Sequence, residues 1–182
     1  MQWSIKQMLK VRTENSLDKE TGDMNNWQTS RLDDVCTIKY GKDHKHLQSG
    51  KVPVYGSGGI MRYVDTALYT NKSVLIPRKG SLDNLYFVET PFWTVDTLFY
   101  TEIDETKIMP EFLYYQLKLF DLAGMNVGSA VPSLTATVLN EIEIVVPPLQ
   151  EQIEISNTLR ALDTKIANNI AINHNLLHST AD

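Results

Sequence analysis

Apolar and polar residues follow two different periods along this chain, and the period changes at a pair of prolines. Before Pro147 the apolar residues come in short runs bounded by turn residues, which predicts strands or short extended segments at 35–40, 52–55, 63–69, 73–77, 85–88, 94–100 and 142–146. After Pro148 they recur every three or four positions, which predicts one long amphipathic helix. Proline fixes φ and lacks an N–H group, so this pair ends the last strand and suits the first helical turn.

Two shorter helical segments are predicted before that boundary. Residues 110–122 have apolar residues at helical spacing with Pro110 at the start, and Ser133 can cap a short turn that runs to Leu139. Residues 1–26 pass from a helix-like stretch into a polar run without an apolar period. The prediction is a mixed α+β protein: an extension and linker at 1–26, a domain of short twisted strands and a few helices at 27–147, and a long helix at 148–182.

The long helix has a stripe whose spacing alternates between four and three residues, as in a coiled coil. The stripe consists of Ile155, Leu159, Leu162, Ile166, Asn169, Asn173 and Leu176. Asparagine in such a seam lowers stability but fixes register and partner. The alternative is a terminal helix that packs on its own domain, with Ile170 and Leu177 shifting the stripe to a 3.6-residue period. We favour a partner, because few apolar residues remain elsewhere to cover a helix roughly 45 Å long.

Charge is unevenly distributed in this chain of 182 residues, whose formal net charge is −5. Residues 31–80 contain nine Lys and Arg against four Asp and Glu, whereas residues 81–182 contain four against fourteen. The front of the domain is therefore basic, and a polyanion responds to this local field within a Debye length. Chance segregation of charge is the alternative interpretation.

The expected cellular location is inferred from two kinds of segment that the sequence lacks. No apolar run approaches the length of a membrane span, and the N-terminus has no apolar core of a signal peptide. The single cysteine, Cys36, has no internal disulfide partner and is expected to be a small buried apolar residue. A cytoplasmic protein without membrane contact is expected.

Two glycine loops carry the candidate chemistry. Gly56, Ser57, Gly58 and Gly59 form the first, and Arg78, Lys79, Gly80 and Ser81 the second. Such loops expose backbone N–H groups, and Lys and Arg supply phosphate affinity, although loops of this composition are often only hairpin turns. Neither matches a nucleotide-binding fingerprint, so no cofactor is expected.

No catalytic or metal-binding group is predicted. The histidines, His44, His46, His174 and His178, have no accompanying metal-ligand motif, and Asp96 close to Trp93 is expected to orient a loop rather than act as an acid or base.

The order of motifs resembles the specificity subunit of type I restriction-modification systems. The resemblance rests on KYGKD, VPVYGSGGI, IPRKGS, PFWTVDT, FLYYQL, GSAVPSL and IEIVVPPLQEQIEISNTLRALDTKI, and it covers Trp27 to about Leu177, some four fifths of the chain. It implies a non-catalytic subunit that reads double-stranded DNA for methyltransferase and restriction subunits. The resemblance implies that a full-length member contains two recognition domains separated by two antiparallel helices. This chain has one domain and one complete helix. A homodimer through the helix would then present two domains to an inverted repeat.

The resemblance places the basic and glycine-loop residues on DNA, where cations bind phosphates and forked or amide groups read bases. The expected DNA-binding residues are Lys39, Lys42, Lys45, Lys51, Ser57, Gly58, Gly59, Arg62, Asn71, Lys72, Arg78, Lys79, Gly80, Ser81 and Ser129.

Two other hypotheses remain. The glycine loops with Trp93 and Asp96 could form a small-molecule or carbohydrate pocket in a protein dimerised by its helix. The chain could also be a fragment of a longer subunit, with residues 1–26 left from a preceding helix.

Overall fold

The computed structural model describes residues 27–126 and 132–179, with side chains described up to Asn175. Nine strands occur within these residues: β1 Gln28–Arg31, β2 Cys36–Tyr40, β3 Ser49–Gly56, β4 Gly59–Val64, β5 Ser73–Pro77, β6 Tyr86–Val88, β7 Trp93–Thr94, β8 Leu98–Ile103 and β9 Glu143–Val146. The helices are α1 Leu32–Val35, α2 Pro110–Leu117, α3 Ala136–Asn140 and α4 Leu149–Ser179. The mixed α+β class is thereby confirmed.

The strands form three sheets. A four-stranded sheet has the order β2-β8-β5-β6, with every pair antiparallel, and a three-stranded sheet has the order β4-β3-β7, with β3 and β7 parallel. Strands β1 and β9 pair separately, joining the start of the described chain to the strand that precedes α4. The segment 92–98 links the two larger sheets, since β7 belongs to one and β8 to the other.

The main apolar core lies between the four-stranded sheet and helix α2. Strand β5 is buried at all five positions, which agrees with its central place in the sheet. Phe112, Leu113 and Leu117 project from α2 into this core, together with Phe99 of β8. Cys36 also lies there, and burial raises the pKa of its thiol to about 12, so the expectation of a buried apolar residue is confirmed.

Several predicted boundaries differ from the structure. Helix α2 ends at Leu117 rather than Leu122. The turns that follow it are enough to bury Leu122 in the core, so the helix does not need to continue. The cap of α3 is Thr135 rather than Ser133: the Thr135 hydroxyl accepts a hydrogen bond from the backbone N–H of Val138. The predicted strand 94–100 is divided into β7 and β8 by a turn, and the segment predicted at 63–69 overlaps β4 only at residues 63 and 64. The extension predicted at 1–26 lies outside the described residues.

Helix α4 begins at Leu149, directly after the double proline, and has 31 residues. Its first turns pack on the domain: Gln152 and Ser156 are buried, and Ile155 contacts the main core. From Leu162 onward the side chains described on this helix are exposed.

Candidate functional site

The two glycine loops, distant in sequence, lie against each other. A Cβ atom on Gly80 would stand 3.2 Å from the hydroxyl oxygen of Ser57. Gly59 and Gly80 have φ angles of 111° and 87°, a region that glycine adopts without the strain other residues incur. Two side chains fix the first loop, since Asn84 Nδ2 and the hydroxyl of Tyr86 each donate to the Ser57 carbonyl at 3.0 Å.

The second glycine loop is also fastened to the segment before α3. Gly80 N donates to the carbonyl of Pro132 at 3.3 Å, and Leu134 N donates to the carbonyl of Arg78 at 2.9 Å. Lys79 and Ser133 form an isolated antiparallel bridge between these contacts. The loop that contains two adjacent cations is thus held by backbone hydrogen bonds rather than left as a free turn.

An open groove of about 630 Å³ runs beside the first glycine loop. Its lining residues come from the 43–45 loop, the β3–β4 hairpin and the turn after β7: Asp43, His44, Lys45, Gly56, Ser57, Gly58, Gly59, Ile60, Met61, Val95, Asp96 and Thr97. A Cβ atom on Gly58 or Gly59 would have no neighbour within 4 Å. The backbone at this edge is therefore open to close approach by another molecule.

The loop that places Lys45 in the groove is anchored by its backbone. Trp93 Nε1 donates to the carbonyl of Lys42 at 3.0 Å, and Lys42 N donates to the carbonyl of Thr94 at 2.8 Å. Arg62 donates to the carbonyl of Leu47 at 3.1 Å, so part of its guanidinium is already engaged. Because main-chain atoms hold the loop, the side chains of Lys42 and Lys45 remain exposed.

The predicted DNA-binding lysines divide into two groups. Within the described chain no carboxylate forms an ion pair with Lys42, Lys45, Lys51 or Lys79. Lys39, in contrast, pairs with Glu102 at 3.4 Å, and Lys72 pairs with Glu111 at 2.9 Å and Glu89 at 3.7 Å. The hydrogen bond to Glu111 raises the pKa of Lys72. Lys39 and Lys72 therefore have less free charge to offer a polyanion than the first group.

Arg78 has a third kind of environment. Its guanidinium lies 5.3 Å from the centre of the Tyr40 ring and donates to the backbone carbonyl of Asp96 at 3.2 Å. These contacts orient the side chain without neutralising its charge.

Asn71 and Lys72 do not join the glycine-loop group. They precede β5, whereas Arg78 and Lys79 follow it, and the intervening strand separates the two ends by about 20 Å. Lys72 instead lies beside α2 and α4, where Arg160 contacts Glu89 at 3.3 Å. Ser129 lies outside the described residues.

Three exposed apolar side chains near the loops were not predicted as site residues. Tyr40, Ile60 and Met61 are 52%, 49% and 59% exposed. The available signal was an apolar pair directly after the glycine turn of a hairpin, where a solvated hairpin would normally place polar residues.

The predicted helical stripe divides into a packed and an exposed part. Ile155 and Leu159 are partly buried against the domain, while Leu162 and Ile166 are 46% and 56% exposed. Asn169 and Asn173 are exposed, and the side chain of Leu176 lies outside the described part. The helix thus packs on its own domain over its first turns and then extends away from it, and pairing of the exposed part with a partner helix stays a prediction.

Within the described ranges, no helix is long and apolar enough to cross a bilayer. Across those same residues, no three His, Cys, Asp or Glu side chains are grouped to hold a metal ion.

The fold of this chain is found in solved structures. The S subunit of a type I restriction-modification system from M. genitalium superposes with a TM-score of 0.70 at 21% identity, covering 85% of this chain and 43% of that one. A protein of Mycoplasma pneumoniae named as a type I specificity subunit is 28% identical over 154 residues, which are 79% of this chain and 50% of its own length. A Haemophilus influenzae protein named as a type I restriction enzyme specificity subunit is 32% identical over 118 residues, 63% of this chain and 30% of its own.

The chain belongs to the family of the type I restriction modification DNA specificity domain, whose model matches residues 24–178. The family predicted from the sequence motifs is confirmed. The chain spans half the length of the M. pneumoniae relative and less of the H. influenzae one.

Proposed function

We propose that residues 27–147 form a target recognition domain that reads one half of a bipartite DNA site. One observation carries this proposal: the two glycine loops meet, and the open groove beside the first is lined by Lys45, while the second loop carries Lys79. Lys45 and Lys79 come from segments more than 30 residues apart, and neither is neutralised by a carboxylate of the described chain. Unpaired ammonium groups on anchored backbone suit phosphate binding, which releases counterions.

The groove also offers groups that discriminate between bases. The Asp43 and Asp96 carboxylates that line it can accept a hydrogen bond from cytosine N4, and Arg78, which contacts the backbone of Asp96, can bind guanine O6 and N7 in a bidentate manner. The same carboxylates repel phosphates, so a base edge is a better occupant of the groove than the DNA backbone. We therefore assign phosphate contacts to the lysines and base contacts to the groove.

The proposal extends to the complex in which the chain acts. The relatives are named as specificity subunits, and we infer that this chain is likewise non-catalytic and directs partner methyltransferase and restriction subunits to their site. Residues 148–182 would form a spacer that pairs antiparallel with the helix of a second copy. Two identical domains would then meet an inverted repeat.

Salt-dependent binding tests DNA recognition by the full chain. We expect Lys79→Ala to weaken binding of a duplex and to reduce the slope of log K against log salt by about 0.9 for each recognition domain bound, the value for one lost phosphate contact. Lys165→Ala, which removes the same charge from an exposed position of α4, should leave the slope unchanged. Fluorescence anisotropy between about 50 and 200 mM salt measures both. Equal slopes for wild type and Lys79→Ala would remove Lys79 from the interface.

The structure offers less to a small-molecule site. Trp93 is only 7% exposed, and its indole N–H is used to hold Lys42, so its ring face is not available for stacking a sugar. A ligand-binding protein would also show little salt dependence in the same titration.

A further inference from the structure

The β3–β4 hairpin contains an irregularity beside the groove. Val54 pairs with Arg62, but the next residue, Tyr55, pairs with Ile60, so Met61 is an extra residue on β4. Such a bulge changes the direction in which neighbouring side chains point. The thioether of Met61 lies against the backbone of Gly56, where a Cβ atom would stand 2.6 Å from its sulfur.

Packing in the core of the described residues does not explain why Ile60 and Met61 are apolar. Both line the groove and are about half exposed, and neither belongs to the apolar clusters of the described residues. With Val95, which is buried beneath, they form an apolar wall. The polar side chains of Asp43, Lys45 and Asp96 line the same groove.

We propose that Ile60 and Met61 are specificity-determining residues that contact the C5-methyl group of a thymine in the major groove. This inference rests on the proposed function and adds the identity of one base that the domain reads. The methyl group of thymine is the apolar group that base pairs present in the major groove, so an apolar wall among base-reading polar groups suits it. The unbranched Met61 side chain can adapt to the position of that methyl group.

The test begins with selection of the preferred half-site from random duplexes by the full chain. Each thymine of the selected site is then replaced by uracil, which keeps the base pairing but lacks the methyl group. We expect one replacement to weaken binding roughly three- to tenfold, the effect of one buried methyl group and its packing. Met61→Ala or Ile60→Ala should bind the thymine and uracil forms of that position equally.

Two further variants separate packing at the wall from general damage to the hairpin. Met61→Leu keeps an apolar side chain and should retain thymine preference. Tyr63→Ala removes an exposed side chain from the same strand but outside the groove. It should leave the ratio of the affinities for the thymine and uracil forms unchanged.

The outcomes distinguish this inference from the proposed function. If no half-site is selected, DNA reading itself is wrong. If a half-site is selected but no uracil replacement weakens binding, or if Met61→Ala and Ile60→Ala both keep the wild-type preference, the thymine contact is overturned. Weaker binding of both forms by both variants, with the preference unchanged, would assign the wall to another base contact and also overturn the thymine contact.

Discussion

Replacing Ile166 with aspartate is expected to abolish self-association of the chain. Leu162, Ile166 and Ile170 are 46%, 56% and 64% exposed and continue the face by which α4 packs on its own domain. In an antiparallel pair Ile166 would become buried, and an uncompensated buried carboxylate costs several kcal/mol. The dimer dissociation constant should rise about 100-fold or more. Sedimentation equilibrium at micromolar concentration measures this change.

Asn168→Asp is the matched control for that experiment. Asn168 is two residues away and lies on the opposite side of the helix, so it receives the same charge outside the proposed interface. It should leave the dissociation constant within about twofold, since exposed changes have small effects. A wild-type chain that stays strictly monomeric at high micromolar concentration would contradict pairing through Leu159, Leu162 and Ile166.

The two asparagines of the stripe would give the proposed pairing a definite register. An antiparallel pair that matches Asn169 of one copy with Asn173 of the other places the twofold axis at residue 171. Both asparagines are exposed in the single chain, so their amide groups are free to reach across such an interface. The distance between the two recognition domains would then follow from the length of α4 between its packed turns and that axis.

Local patterns were sufficient for most elements of the fold. Strand β5 and the start of α4 agree with the predicted positions, because a buried apolar run and a double proline each act over a few neighbouring residues. Helix α2 was predicted too long, because Phe120 and Leu122 have helical spacing. In the structure both residues pack on the core from turns that follow the helix. Tertiary packing decided where that helix ends.

The site was less predictable, because it depends on strand pairing. The composition of the two glycine loops identified them, but only the folded chain brings Gly80 to Ser57. Lys39 and Lys72 were grouped with the other cations although Glu102 and Glu111 partly neutralise them. Those carboxylates are separated from the lysines by at least 39 residues along the chain, so no local pattern reveals the pairs.

The helix can act as a spacer only if its angle to the domain is fixed, and several contacts fix it. Arg160 contacts Glu89 at 3.3 Å, and the hydroxyl of Tyr115 donates to Asp163 at 3.0 Å. Burial, together with this hydrogen bond, raises the pKa of Tyr115, so the phenol stays protonated as a donor. Because the Arg160 contact is largely exposed, it contributes little to stability, and the main anchor must lie deeper.

That anchor is Gln152, whose replacement by leucine is expected to cause a large loss of stability. Its side chain is fully buried and makes three hydrogen bonds: its oxygen accepts from Met109 N at 2.7 Å, and its nitrogen donates to the carbonyls of Lys107 and Pro147 at 3.1 and 2.8 Å. Leucine has a similar volume but would leave these backbone groups without partners. Each costs about 1–3 kcal/mol when buried, so the free energy of unfolding should fall by about 3 kcal/mol or more.

Gln150→Leu supplies the comparison within the same helical turn. Gln150 is exposed and makes one side-chain contact, with Glu154 at 3.2 Å, so its replacement should change the free energy of unfolding by less than about 0.5 kcal/mol. Urea unfolding followed by circular dichroism measures both variants. Similar midpoints for the two would show that Gln152 does not anchor the helix. A loss of stability in Gln152→Leu but not in Gln150→Leu would show that this residue joins the helix to the recognition domain. A spacer between two half-sites requires such a rigid connection.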